Sequence, residues 1–170
     1  KEQILDFCAG AGGKTLAFAP LTQNKGQIYL HDIRPHALKE AKKRLNRAGI
    51  QNIQIGIHSS LKEKMDWVLI DAPCSGSGTY RRNPDLKWKF SLSMLKSLIA
   101  DQRKIFKEAL SFLHPKGRIV YATCSILKEE NEQQISYFEH EYNLELEKVF
   151  KTFPQEGQMD GFFGAVLRKK

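Results

Sequence analysis

The chain has 170 residues, of which 41% are hydrophobic, and 27 Lys and Arg against 19 Asp and Glu give it a formal net charge of +8. This length suits one buried core and is short for two ordinary domains, so we expect a single domain over residues 1–170. The positive charge favours a polyanionic partner such as nucleic acid, although solubility alone can also explain such an excess.

The cysteine count and the apolar runs argue against three classes of protein. The three cysteines are odd in number and far apart in sequence, unlike the disulfide framework of a small secreted protein. They also lack the close pairs of structural zinc sites, so we expect no metal. No apolar run approaches the ~20 residues of a membrane span, and no secretory signal precedes the first apolar run. We therefore expect a reduced, cytoplasmic protein without membrane contact.

In chain order, short apolar runs alternate with longer helical patterns, which is typical of a parallel sheet with crossover helices. The patterns predict strands at 4–7, 27–31, 52–57, 67–71 and 118–123, an alternating strand at 144–149 and a final hairpin arm at 161–167. They predict helices at 35–48, 91–113 and 128–142. A stretch rich in Pro, Gly and Gln connects the last two strands. The result is a seven-stranded α/β fold.

A glycine-rich turn follows the first predicted strand and leads into a helix. Its residues are Ala9, Gly10, Ala11, Gly12, Gly13, Lys14 and Thr15. Glycines let the backbone pass close to a ligand, and a helix start can aim its amides at an anion or carboxylate. The turn is not a P-loop, because Cys8 stands where that motif needs its first glycine. It is not the full dinucleotide fingerprint either, because Thr15 replaces the third glycine.

An acidic residue, Asp32, closes the second strand about 20 residues after the glycines, where an acid can accept hydrogen bonds from ribose hydroxyls. The turn and this acid together predict a nucleoside-containing cofactor with little phosphate demand, and S-adenosylmethionine fits best. In the alternative, the glycines form only a tight turn and Asp32 caps the helix that begins near Pro35. Cys8 fits a small core residue without a catalytic role.

Two more cysteines follow apolar strands, Cys74 in the segment DAPCSGSGT at 71–79 and Cys124 in the segment ATCS at 122–125. Ligands of open parallel sheets bind at the carboxyl ends of strands where the strand order switches, so the glycine turn and Asp71 to Cys74 should converge. Cys124 should lie next to Cys74. Asp71 could accept from the amino edge of a flipped-out base, or it could cap the following turn.

The thiol pair suggests covalent chemistry on a pyrimidine. Carbon 5 of cytosine is not nucleophilic until a thiolate adds to carbon 6, and a second acid/base group then helps to discharge the adduct. This chemistry needs a lowered thiol pKa, for which Lys14 or a nearby arginine could supply positive charge. The alternative is that both cysteines are buried and inert.

Basic residues follow the segment 71–79, which contains Cys74, and they also cover one predicted helix. Arg81, Arg82, Lys87 and Lys89 form the first candidate RNA surface, and the helix segment 39–47 forms the second. The alternative for the first cluster is a solvated loop.

Four segments in this order, 6–15, 71–79, 81–88 and 122–132, resemble the motifs of the RNA (cytosine-C5) methyltransferase family called Sun or Fmu. The DGFF segment at 160–163 resembles the last hairpin of that family. The resemblance implies a class I S-adenosylmethionine-dependent methyltransferase fold, Rossmann-like, with helices on both faces of a seven-stranded, mostly parallel sheet whose last strand is antiparallel.

The resemblance also implies roles for individual residues. It makes Cys124 the nucleophile on carbon 6 and Cys74 the helper in product release, with Lys14 and Asp71 ordering the site. DNA cytosine methyltransferases place the nucleophile at a Pro-Cys instead, so spacing alone leaves that assignment open. Cofactor contacts are implied for Cys8, Ala9, Gly10, Ala11, Gly12, Gly13, Lys14, Asp32, Arg34, Asp71 and Pro73.

Three features depart from the family pattern. Gly10 and Ala11 replace the usual Ala-Pro, and IHSS at 57–60 stands where an aspartate usually lies near the adenine, which predicts weaker cofactor binding. The family also carries an RNA-binding region before the first motif, which we expect to be absent from this chain.

The sequence thus predicts a monomeric enzyme that methylates carbon 5 of a cytosine in RNA, most simply ribosomal RNA. Two alternatives stay open. One is an RNA-binding module that keeps the fold with little or no turnover. The other is a methyltransferase that acts on an amine, although such an enzyme needs no cysteine pair.

Overall fold

The computed structural model describes residues 1–155 and 159–170. Seven strands form one sheet in the order β3-β2-β1-β4-β5-β7-β6. The strands are β1 Gln3–Asp6, β2 Gln27–Leu30, β3 Ile53–Ile55, β4 Met65–Asp71, β5 Leu113–Thr123, β6 Leu144–Thr152 and β7 Phe162–Lys169.

Five α-helices connect these strands, and none in the described part of the chain is long and apolar enough to cross a membrane. The helices are α1 Gly13–Phe18, α2 Pro35–Arg47, α3 Asp85–Lys89, α4 Leu92–Leu110 and α5 Glu132–Tyr142. Short 3-10 turns occur at Ala19–Thr22, Ser59–Leu61 and Ser77–Thr79.

Strand pairing confirms the predicted sheet. β1 is parallel to both β2 and β4, β2 is parallel to β3, and the β6–β7 pair is antiparallel. The direction in which new strands are added therefore reverses between β1 and β4, and the carboxyl ends of such strands are where open α/β sheets bind ligands. Asp6 and Asp71 are the last residues of these two strands.

The chain divides into two compact units, the first formed by residues 1–71 and 109–119 and the second by residues 72–108 and 120–170. In the first unit, helix α2 buries Ala37, Ala41 and Leu45. Ala41 and Leu45 belong to an apolar core with Ile28 and Leu30 of β2. The 3.6-residue period of α2 accounts for this face, because small and branched apolar residues recur every three or four positions.

Aromatic rings fill the core of the second unit. The rings of Phe106 in α4 and Phe138 in α5 stack at 3.7 Å between centroids, and Tyr121 in β5 packs edge-on against Phe138 at 5.3 Å. Tyr142 stacks on Phe106 at 5.8 Å. Offset and edge-to-face ring pairs of this kind fix the positions of the elements that carry them.

Predicted boundaries of two helices and of the strand between them were wrong. The helix predicted at 91–113 ends at Leu110, and β5 begins at Leu113 rather than at 118. Leu113 is fully buried, and a Cβ on Gly117 would come within 2.7 Å of the Met65 carbonyl oxygen, so this segment packs closely along β4. The helix predicted at 128–142 begins only at Glu132, because the two preceding residues turn inward and are buried. The middle of the predicted Pro/Gly/Gln connection, 156–158, lies outside the described residues.

Candidate active site

The glycine turn of the first unit needs glycine at two positions. Gly10 and Gly12 have φ values of +52° and +76°, in the left-handed region that residues with a Cβ rarely adopt. A Cβ on Gly12 would also approach the Ala41 Cβ to 3.1 Å, so the turn packs directly on α2. Arg44 of α2 donates from Nη1 to the Ala11 carbonyl oxygen at 2.8 Å, which ties the turn to the same helix.

The Asp32 carboxylate lies beside this turn. It accepts the Gly10 amide at 2.8 Å, and it accepts three hydrogen bonds from Arg34, through the backbone N, Nε and Nη2, at 2.9–3.1 Å. Partial burial raises the pKa of Asp32, but the hydrogen bonds from Arg34 and Gly10 outweigh it and lower that pKa. Asp32 thus holds Arg34, the residue before α2, and the glycine turn. It does not cap α2 as in the capping alternative, because α2 has no side-chain capping hydrogen bond among the described residues.

Two further acids lie at the strand ends of the first unit. Lys14 Nζ of the glycine turn pairs with Asp71, so these two predicted site residues are brought together. Asp6 was not predicted as a site residue, although an acid ending an apolar strand is a signal that the sequence contains. Asp6 Oδ2 accepts from Thr15 Oγ1 at 2.6 Å, whereas the buried Oδ1 has no hydrogen-bond partner among the described residues. Burial raises the pKa of Asp6 to about 6, against the hydrogen bond from Thr15.

Cys8 follows β1 and is largely buried. Burial and the charges of Asp6, Asp32 and Asp71 raise the pKa of its thiol to about 12. A thiol with that pKa is protonated at neutral pH and is a poor nucleophile. The geometry agrees with the structural interpretation of this cysteine.

In the second unit, the two other cysteines lie side by side. The Sγ atoms of Cys74 and Cys124 are 3.4 Å apart, which confirms the predicted proximity, and both side chains are partly exposed. Among the described residues, no cysteine forms a disulfide. The hydrogen bond with Cys124, burial and the charge of Cys124 raise the pKa of Cys74. The expectation of a thiol pKa lowered by a nearby cation is therefore wrong for Cys74.

A buried acid that sequence reasoning missed, Glu130, lies beneath the two cysteine loops. It is fully buried and accepts hydrogen bonds from Ser75, Ser125 and Gln102. Gln102 also donates to the carbonyl oxygen of Pro73, a predicted cofactor residue, at 3.0 Å. Glu130 belongs to a run of charged residues that reads as a solvated helix start, so only its burial reveals the role.

The closing DGFF segment braces the loop after Cys74. Gly161 N donates to the Gly78 carbonyl oxygen at 2.9 Å, and a Cβ on Gly78 would lie 2.1 Å from the Gly161 oxygen. Buried Asp160 forms ion pairs with both Arg81 and Arg82. These two arginines therefore anchor the loop, whereas the sequence suggested phosphate contacts for them.

Two helices carry further exposed basic side chains. In the second unit, α3 presents Lys87, Trp88 and Lys89 to solvent, with Trp88 82% exposed. In the first unit, α2 exposes Lys39, Lys42, Lys43 and Arg47. Within the described residues no group of His, Cys, Asp and Glu side chains could hold a metal ion.

This sheet order, with an antiparallel last strand and a glycine turn after β1, is that of class I S-adenosylmethionine-dependent methyltransferases. The chain belongs to the family described as 16S rRNA methyltransferase RsmB/F, whose model matches residues 1–168.

The comparisons with individual proteins agree with this family. The chain is 36% identical to ribosomal RNA small subunit methyltransferase B of Proteus mirabilis and 31% identical to ribosomal RNA small subunit methyltransferase F of Vibrio cholerae. These alignments cover 99% of the chain and 42% and 41% of the relatives, so the chain spans about two fifths of their length. Among solved structures, NSun6 from Pyrococcus horikoshii with SFG has a TM-score of 0.87 and 29% identity, over 99% of this chain and 48% of that chain.

Proposed function

We propose that residues 1–170 form the catalytic domain of an enzyme that transfers a methyl group from S-adenosylmethionine to carbon 5 of a cytosine in ribosomal RNA. The observation that carries the proposal is the thiol pair, with Cys74 Sγ and Cys124 Sγ 3.4 Å apart. Both relatives named above are ribosomal RNA small subunit methyltransferases, which supports the substrate class.

The residues of the first unit suit the cofactor. S-adenosylmethionine, when bound, supplies an electrophilic methyl group on a sulfonium. The main chain from Cys8 through the glycine turn to Lys14 would hold its methionine part, and Asp32 would accept from its ribose hydroxyls. The Arg34 side chain, 57% exposed, can give up its hydrogen bonds to Asp32 for this purpose, while the Gly10 amide keeps the carboxylate in place. The implied contacts of Asp71 and Pro73 belong to the same proposal.

The residues of the second unit suit the base. The Cys124 thiolate adds to carbon 6 of the cytosine, which makes carbon 5 nucleophilic so that it can take the methyl group. A base then removes the proton from carbon 5, the C6–S bond breaks, and Cys124 leaves as a thiolate.

The 3.4 Å contact between the two sulfurs supports this division of labour. A thiol that keeps its proton can donate a hydrogen bond to the neighbouring Cys124 sulfur, which stabilises a thiolate there. Cys74 then lies where its S–H can donate a hydrogen bond to the Cys124 sulfur as that thiolate leaves carbon 6. This assignment follows the resemblance to the Sun family.

The test is methyl transfer from S-adenosylmethionine labelled in the methyl group to unmodified small-subunit ribosomal RNA, with the product nucleoside identified by mass spectrometry. We expect 5-methylcytosine with the wild-type protein and none with Cys124→Ala. Transfer to an amine would contradict the proposal, and RNA binding without any transfer would support the RNA-binding alternative. The assay is run on the full-length protein, since the chain spans only part of its relatives.

A further inference from the structure

We propose that Glu130 is a positioning residue, which holds the Cys74 loop and the Cys124 loop at the separation that the thiol chemistry needs. The inference rests on the proposed function for its catalytic meaning. Its structural basis is independent of that function, because it concerns the contacts of one buried carboxylate.

The carboxylate of Glu130 joins the residues that directly follow the two cysteines. Its Oε1 accepts the Ser75 backbone amide at 2.8 Å, and its Oε2 accepts the Ser75 hydroxyl at 2.6 Å and the Ser125 hydroxyl at 2.5 Å. Ser75 and Ser125 also contact each other, with their Oγ atoms 3.3 Å apart. One side chain thus links both loops through hydrogen bonds to a charged acceptor, which are the stronger kind.

Three further hydrogen bonds hold Glu130 and its partner Gln102 in place. The Tyr121 hydroxyl donates to the Glu130 carbonyl oxygen at 2.9 Å. Gln102 Nε2 donates to Glu130 Oε1 at 3.1 Å, and Gln102 is held in turn by Gln134 Nε2 at 2.8 Å. These donors come from β5, α4 and α5, so Glu130 links three elements to the two loops.

The burial of Glu130 shows why its hydrogen bonds matter. Glu130 has no solvent exposure, and a buried charged group is unfavourable unless hydrogen bonds compensate for its lost hydration. The donors that its carboxylate meets on Ser75, Ser125 and Gln102 are all neutral groups. An apolar residue would fill this volume at lower cost, so we infer that the acid is kept for what it orders.

The charge of Glu130 also acts on the chemistry. It is among the causes that raise the pKa of Cys74, after the contact with Cys124 and burial. A positioning carboxylate at this place therefore also helps Cys74 to keep its proton.

The variant that separates position from charge is Glu130→Gln. The amide oxygen can still accept from the Ser75 amide and Gln102, and the NH2 group can donate to the two serine hydroxyls, which can rotate to accept. Glu130→Ala removes both the charge and the links. Glu129→Gln is the matched control, because Glu129 precedes Glu130 and is exposed.

Two readouts are needed. The first is kcat and KM for methyl transfer, where we expect Glu130→Ala to lower kcat about 10- to 100-fold with little change in either KM, as for misplaced reacting groups. The second needs no substrate. Diamide takes up the two thiol hydrogens of Cys74 and Cys124 as they join in a disulfide, and the rate of this oxidation shows how close the sulfurs are held.

We expect Glu130→Ala to slow disulfide formation and Glu130→Gln to leave its rate unchanged. In Glu130→Gln the alkylation of Cys74 by iodoacetamide should move to lower pH. The control Glu129→Gln should change neither the rate of disulfide formation nor the pH of alkylation. If Glu130→Ala transfers methyl groups and forms the disulfide at wild-type rates, the inference is overturned. If the wild-type protein transfers no methyl group, the proposed function fails while the thiol readouts still decide the role of Glu130. Should Glu130→Ala not fold, Ser125→Ala cuts the link on one side only and should slow the same oxidation.

Discussion

Replacement of Cys124 and replacement of Cys74 should have different effects if one thiol adds to the base and the other helps to discharge the adduct. With Cys124→Ala no bond to carbon 6 can form, so we expect neither methylation nor trapped RNA. With Cys74→Ala the adduct forms and stalls, so a covalent protein–RNA species should survive a denaturing gel. The measurement uses full-length protein and ribosomal RNA with S-adenosylmethionine.

The double variant Cys74→Ala, Cys124→Ala is the control for this experiment, because the species trapped by Cys74→Ala should disappear when Cys124 is also replaced. Trapping by Cys124→Ala and not by Cys74→Ala would reverse the two roles. Full activity in both single variants would remove covalent catalysis by these thiols.

Asp32 offers a second test of the role of a single residue. If its carboxylate accepts from the cofactor ribose, Asp32→Ala should weaken S-adenosylmethionine binding by roughly 1–3 kcal/mol, measured by titration calorimetry. Glu40→Ala is a suitable control, because Glu40 is an exposed acid on the nearby helix α2. An unchanged dissociation constant for Asp32→Ala would exclude Asp32 from the cofactor site. Unfolding curves of the variant check that the glycine turn, which Asp32 also holds, is still ordered.

At the scale of elements, the loop after Cys74 depends on its close approach to the chain before β7. A Cβ on Gly78 would overlap the Gly161 carbonyl group, so Gly78→Ala should lower the free energy of unfolding by about 1–3 kcal/mol, as overpacking does. Gly164→Ala in β7 is the matched control, since, apart from Gly164 and its two chain neighbours, no described residue has a heavy atom within 4 Å of a Cβ there. Urea denaturation of both variants measures the difference. Equal stability of the two would contradict this packing.

Helices α3 and α2 compete as the RNA-binding element. Because Arg81 and Arg82 are engaged by Asp160, we expect α3 to contact phosphates through Lys87 and Lys89. The double variant Lys87→Gln, Lys89→Gln should weaken RNA binding and reduce the slope of log K against log salt by roughly 0.7–0.9 for each phosphate that the protein no longer neutralises. The pair Lys39→Gln, Lys43→Gln tests α2 in the same filter-binding assay. A salt slope that changes only in the α2 pair would move the interface to that helix.

For the whole molecule, buried Asp6 predicts how stability depends on pH. Its pKa is raised from 3.8 to about 6 in the folded protein, so folding favours the protonated acid. The stability from this group is complete below pH 3.8 and is lost as the pH rises through about 6, a change on the order of 3 kcal/mol.

Asp6→Asn removes this titration, so the stability of the variant relative to wild type should increase between about pH 4 and about pH 7. Chemical denaturation at several pH values measures the difference, with Asp101→Asn on the exposed side of α4 as the control. A constant difference across this range would show that Asp6 does not titrate there.

The amino-acid sequence by itself determined the sheet, the glycine turn and the proximity of Cys74 to Cys124. These features depend on local signals: apolar period, turn residues, and the rule that parallel strands bring their carboxyl ends to one edge of the sheet. Motif residues that follow a strand are therefore placed together without knowledge of side-chain contacts.

Only the tertiary structure decided the partners of the charged residues. Glu130 and Asp160 look like ordinary surface acids in the sequence, yet each is buried and holds a distant segment. The raised pKa of Cys74 has the same origin, since it depends on Cys124, a neighbour fifty residues away, and on burial. Charge and periodicity are properties of short segments, whereas burial and partner choice depend on which segments meet when the chain folds.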